Sequence, residues 1–105
     1  MFDPNHNAVD KYYLVNGSWK GSWEGLPNDM VIANWNGGKA ADSLKFFTGR
    51  GHPQVIAGYY DKDISNFKKW DAVAAGMLGV TVFMYTTWQH KLAHLEEYGK
   101  AIRRE

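Results

Sequence analysis

Apolar and polar positions fall into two kinds of run along this chain. Three stretches are short, continuous and rich in β-branched or aromatic residues: Val31–Asn36 (VIANWN), Gln54–Asp61 (QVIAGYYD) and Val80–Trp88 (VTVFMYTTW). A run of this kind, opened by a breaker such as His52-Pro53, reads as a parallel-sheet strand buried on both faces. The stretches that follow them space their apolar residues three or four apart, as helices do. Lys39–Thr48 carries Ala41, Leu44 and Phe47 with the adjacent Phe46, and Gly49 and Gly51 stop it. Ser65 is placed to cap a second helix with Phe67, Trp70, Val73 and Ala74 inward, ending by Gly76. His90–Arg104 predicts a third, with Leu92, Leu95, Tyr98 and Ile102 inward and Glu96 paired with Lys100 on the wet side.

Aligning the strand ends at Trp35, Tyr59 and Tyr85 gives steps of 24 and 26 residues, each enough for a strand, a helix and a return. The expectation is an α/β chain of three parallel strand–helix units, with Met1–Asn7 (MFDPNHN) either a free terminus or the exit of a fourth strand. All 105 residues form one domain, an aromatic-rich loop region at 1–29 followed by the three units at 30–105. Three parallel strands leave one sheet face and two edges uncovered. The economical solution is a partial, half-barrel-like (β/α)₈ architecture, whose complete form takes about 250 residues. Its missing wall would come from further units or from another copy, so a homo-oligomer, a dimer or higher, is expected.

Charge and composition narrow the partners more than the fold. Twelve basic against 11 acidic residues leave a net charge of +1, which gives no electrostatic case for nucleic acid or an anionic membrane. Without cysteine there is neither disulfide nor thiolate metal site. No apolar run reaches the roughly 18 residues of a membrane helix, and the first residues show no signal-peptide pattern. Localisation stays open.

Candidate chemistry gathers at the strand ends, where parallel sheets bind ligands. Asn34, Trp35, Asn36, Tyr59, Tyr60, Asp61, Tyr85 and Trp88 lie there, joined by Asp3 and His6 if the first residues are a strand exit. Rings offer broad apolar faces, while amides and carboxylates fix hydroxyl groups by directed hydrogen bonds. That combination suits a sugar, with the rings also able to serve as core. Asp61 is the best single candidate for a catalytic carboxylate, weighed equally against a turn-forming role, with Asp3 and Glu24 behind it. Glycosidic hydrolysis needs two carboxyl groups roughly 5–9.5 Å apart, and no such pair is legible. Asp3 with His6, or His90 with His94 four apart on a helix, are weak metal pairs, so no metal is expected. Gly37-Gly38-Lys39 is followed by Ala40, which breaks the phosphate-loop pattern, and no cofactor is expected.

On VIANWN, RGHPQVIAGYYD and VFMYTTW the chain resembles the C-terminal part of a glycoside-hydrolase-type (β/α)₈ barrel, family 20, the β-N-acetylhexosaminidases, being the nearest comparison. The resemblance implies that Trp35, Tyr60, Asp61, Tyr85 and Trp88 line a sugar subsite. The family's adjacent Asp-Glu catalytic pair has no counterpart here, and the third strand ends Thr87-Trp88-Gln89 without the Trp-x-Glu arrangement some members carry. The expected function is therefore the carbohydrate-binding portion of such a barrel, not catalytically competent alone. The alternative is a non-enzymatic α/β protein that self-associates through its aromatic and sheet surfaces.

Overall fold

The computed structural model describes residues 22–105, so the expectations placed on Met1–Asn7, with Asp3 and His6, and on the segment up to residue 21 lie outside the described residues. Three strands, β1 (Ile32–Asn34), β2 (Gln54–Tyr59) and β3 (Val80–Thr86), form one sheet in the order β1-β2-β3. Both pairings are parallel, with Ile32 opposite Gln54 and Tyr59 opposite Thr86. Helices α1 (Ala40–Gly49), α2 (Ser65–Ala74) and α3 (Leu95–Ile102) follow the strands in turn. The α/β class and the three strand–helix units match the sequence-based expectation. The sheet is open.

All three helices pack on one face. Alternation along β2 sends Gln54, Ile56 and Gly58 to that face, and all three are buried. Ile56 packs with Ala40 and Leu44 of α1 and Trp70 of α2. Further along the sheet, Tyr60, Ile64, Phe67 of α2 and Tyr98 of α3 form a second cluster, against which Phe83 and Tyr85 of β3 pack. The two clusters share Phe83, so the helix-side core is continuous.

Gln54 is a buried polar tie that holds three elements. Its amide nitrogen donates to the Leu44 carbonyl at 3.0 Å and to Thr48 Oγ1 at 2.9 Å, and its Oε1 accepts from Asn34 Nδ2 at 2.8 Å. A buried amide left unpaired would cost about 1–3 kcal/mol, and here every contact links β2 to α1 or β1. Below the sheet, His52 is buried with Nδ1 at 3.0 Å from the Met30 carbonyl and its ring edge-on to Phe47.

The helices depart from expectation in informative ways. In α1 the inward stripe is Ala40, Ser43, Leu44 and Phe47, while Ala41 is exposed. The helix ends as expected: Gly51 takes φ 80°, its N–H bonds the Thr48 carbonyl at 3.0 Å, and the His52 N–H reaches back to the Phe47 carbonyl at 3.0 Å. Ser65 is the first residue of α2 rather than its cap. The cap position is Ile64, and Asp63 just before it braces the start of the helix, its Oδ1 accepting from both the backbone N–H (2.8 Å) and the hydroxyl (2.5 Å) of Ser65. The third helix starts five residues later than the apolar spacing from His90 suggested. His90 sits in the left-handed region at φ 55°, so the chain there cannot be helical, and Leu92, Leu95 and Ile102 are exposed. Tyr98 alone is buried from α3. The His90–His94 pairing on a helix is consequently not formed, since His90 lies in the preceding loop.

The strands are buried on one face rather than two. Opposite the helices, Val82 is 49% and Met84 45% exposed, and Tyr59 and Trp35 stand out from the same side. Among the described residues no helix is long and apolar enough to cross a membrane.

Candidate functional site

The C-terminal ends of the three strands carry a cleft of about 330 Å³ lined by Trp35, Ala57, Tyr59, Thr86, Thr87 and Trp88. Strand alternation explains the lining. Ala57 and Tyr59 are two apart on the face of β2 opposite the helices, and Thr86 lies beside Tyr59 in the register. Trp35 follows β1 directly, and Thr87 and Trp88 follow β3. Three rings from three consecutive units thus converge on one open space, with two threonine side chains between them.

The same alternation removes other strand-end residues from the cleft. Tyr60, next to Tyr59, turns to the helix side and is fully buried, its ring 4.5 Å from Tyr98 and 5.2 Å from Tyr85 between centroids. Tyr85 packs in the same cluster, and its hydroxyl donates to the Lys91 carbonyl at 3.1 Å. Asn34 is buried against Gln54. Asn36 leads into a short 3-10 turn at Gly37–Lys39, its carbonyl accepting from the Lys39 N–H at 3.0 Å. Of the residues singled out from sequence, Trp35, Tyr59 and Trp88 line the cleft. Ala57, Thr86 and Thr87 were missed as lining, although the two-residue period from Tyr59 back to Ala57 was there to be read.

Asp61 lies behind the cleft and is buried. Its Oδ1 accepts from the Thr87 hydroxyl, and its Oδ2 accepts from the backbone N–H groups of Trp88 (3.0 Å) and Gln89 (2.9 Å). Burial alone would raise this carboxyl. The Thr87 hydroxyl, the two amides and the Tyr59 hydroxyl outweigh it and hold Asp61 below its ordinary value. Burial and the Asp61 charge push the Tyr59 hydroxyl up in return. Both Asp61 oxygens are therefore committed inside the protein, which suits an ionised anchor and not a general acid. Glu24 is remote: Arg50, between α1 and the start of β2, donates to the Glu24 carbonyl at 3.2 Å, which places that turn at the other end of the strands. Among the described residues no three histidine, aspartate or glutamate side chains gather where they could hold a metal ion.

Chemically, the cleft can offer flat apolar faces and a few neutral hydroxyls. Among the described residues its lining holds no carboxylate and no cation. Comparison of the chain with protein-family models, with curated proteins and with solved structures gave no match.

Proposed function

We propose that the cleft binds a neutral sugar, and that the chain is the carbohydrate-binding part of a glycoside-hydrolase-like (β/α)₈ barrel related to family 20. The observation that carries this reading is the convergence of Trp35, Tyr59 and Trp88 from the ends of three parallel units around one cavity. Ring faces stack on the C–H faces of a pyranose, and the Thr86 and Thr87 oxygens, whose hydrogens go to the Gly58 carbonyl and to Asp61, keep lone pairs that can accept from its polar rim. The cavity is at the small end of ligand pockets, a size suited to one sugar ring. Binding without turnover follows from the carboxylates: Asp61 is engaged, and a second partner at glycosidase distance is absent among the described lining residues.

Trp88→Ala tests it. The ring is 80% exposed, so its removal should change stability by no more than about 0.5 kcal/mol. Affinity for a neutral oligosaccharide ending in a β-linked N-acetylhexosamine should fall about tenfold, roughly 1.4 kcal/mol, by tryptophan fluorescence titration. Wild-type fluorescence indifferent to every neutral glycan offered would defeat the sugar reading.

A second reading rests on the open sheet face. Val31, Val82 and Met84 are exposed on an apolar surface, and among the described residues β1 and β3 are the edge strands of the sheet, an arrangement typical of association surfaces. In this reading the protein is a non-enzymatic homo-oligomer. Sedimentation at micromolar concentration would show a dimer or larger, which Met84→Lys should dissociate. A monomer at that dilution removes this reading and leaves the first standing.

A further inference from the structure

The most exposed ring of the cleft has the least to hold it. Trp88 is 80% exposed, so burial does not position it and its place must come from its backbone. That backbone belongs to the stretch between Thr86, where β3 ends, and Leu95, where α3 begins. A connection of this length is mobile unless tied.

It is tied at two points. The first is Asp61, which takes the Thr87 hydroxyl on one oxygen and the Trp88 and Gln89 N–H groups on the other. The second is Lys91, whose N–H donates to Thr87 Oγ1 at 3.0 Å and whose carbonyl accepts from the Tyr85 hydroxyl at 3.1 Å. Between them His90 holds φ 55°, a left-handed conformation that costs free energy for a residue with a Cβ and persists only where its surroundings determine it. An ionised carboxylate accepts all three donors at the Asp61 position, the Thr87 hydroxyl on one oxygen and both backbone N–H groups on the other. An asparagine amide could keep both N–H groups on its oxygen and donate to the Thr87 hydroxyl, so the latch is released only by removing the acceptor oxygens.

We propose that Asp61 is the positioning residue of the cleft: its carboxylate latches the Thr87–Gln89 backbone, and this latch holds the Trp88 ring at the cleft that Tyr59 and Trp35 also line. Asp61 then touches no ligand and transfers no proton. The consequence for affinity rests on the sugar reading above, whereas the latch itself is independent of any ligand.

Asp61→Ala, which removes both acceptor oxygens, is the direct test, read by amide hydrogen exchange without ligand. The Trp88 and Gln89 amides should lose protection at least tenfold, while amides in the middle of β2 and β3 keep theirs. Fluorine NMR of 5-fluorotryptophan-labelled protein, with Trp88→Phe assigning the resonance, should show the Trp88 signal shifting towards a solvent-averaged position. Thr87→Val, which keeps the carboxylate and removes one donor, should expose the Lys91 amide, and it serves if the alanine variant does not fold. The latch is overturned if Trp88 and Gln89 stay protected in the alanine variant. It is equally overturned if the strand amides lose protection in step, which would mark Asp61 as a contributor to global stability only. Where wild type binds a glycan, unchanged affinity in a variant with a released loop overturns the role of the latch in binding. Failure of wild type to bind any glycan sinks the sugar reading and leaves the exchange result standing.

Discussion

Gly58→Ala is expected to destabilise the domain by about 3 kcal/mol, at the upper end of what one added methyl group costs in a packed core. A Cβ built on Gly58 would lie 2.1 Å from the Tyr60 hydroxyl oxygen, 2.5 Å from its Cζ and 2.8 Å from Asn66 Oδ1. None of these can step aside cheaply. The Tyr60 ring is fully buried and wedged between Tyr85 and Tyr98, and it closes the second core cluster with Ile64 and Phe67. Two residues after Gly58 the chain folds its own tyrosine back beneath the strand, and the missing side chain at Gly58 makes room for it. Urea denaturation measures the effect: the midpoint should fall with little change in slope. Removing the hydroxyl with Tyr60→Phe in the alanine background should recover part of the loss, since the contact with Cζ remains. A shift below about 1 kcal/mol would mean that Tyr60 is not packed under the strand.

Alkaline instability is the second large effect. Burial, then the neighbouring Tyr98 and Tyr85, push the Tyr60 hydroxyl well above its ordinary 10.0, and burial raises Tyr98 too. In the unfolded chain these tyrosines lose their protons near pH 10, while in the native state they keep them. The unfolded state then binds fewer protons, so stability is fully present below pH 10 and falls above it. Tyr60 contributes a slope of about 1.4 kcal/mol per pH unit, roughly 3 kcal/mol by pH 12, and Tyr98 acts in the same direction. Urea midpoints taken from pH 8 to pH 12 should bend downwards past pH 10. In Tyr60→Phe, which keeps the ring, the bend should shrink by the equivalent of one proton. Parallel curves for wild type and variant, or tyrosinate absorbance from Tyr60 in the folded protein near pH 10, would contradict the buried hydroxyl.

Tyr59, Tyr60 and Asp61 show how far the sequence reaches. Their place at the end of a strand is legible, because Gln54–Ala57 is a β-branched apolar run behind a proline and only a strand uses such a run economically. Their fates are not legible from proximity in sequence. Successive side chains of extended backbone point to opposite faces, so Tyr59 enters the cleft and Tyr60 the helix-side core. Which face is which depends on where α2 and α3 pack, and nothing within the tripeptide says so. Asp61 was weighed as a site carboxylate against a turn-former. Its partners Thr87, Trp88 and Gln89 lie 26 to 28 residues away and become visible only once β2 and β3 are paired. The late start of α3 has the same origin. Leu92, Leu95, Tyr98 and Ile102 have helical spacing, but the Asp61 and Tyr85 anchors and the left-handed His90 keep the chain from coiling before Leu95.

The amino-acid pattern alone determined three parallel strand–helix units, the core roles of Leu44, Phe47, Phe67 and Trp70, and the strand ends where rings and polar groups gather. Those are short-range properties, set by period and by the free energy of burying apolar surface. Tertiary structure decided which sheet face the helices cover, which rings share the cleft, and that Asp61 serves the next loop. These follow from contacts between residues tens of positions apart, and a linear pattern of hydrophobicity holds no information about which distant donor a carboxylate will meet.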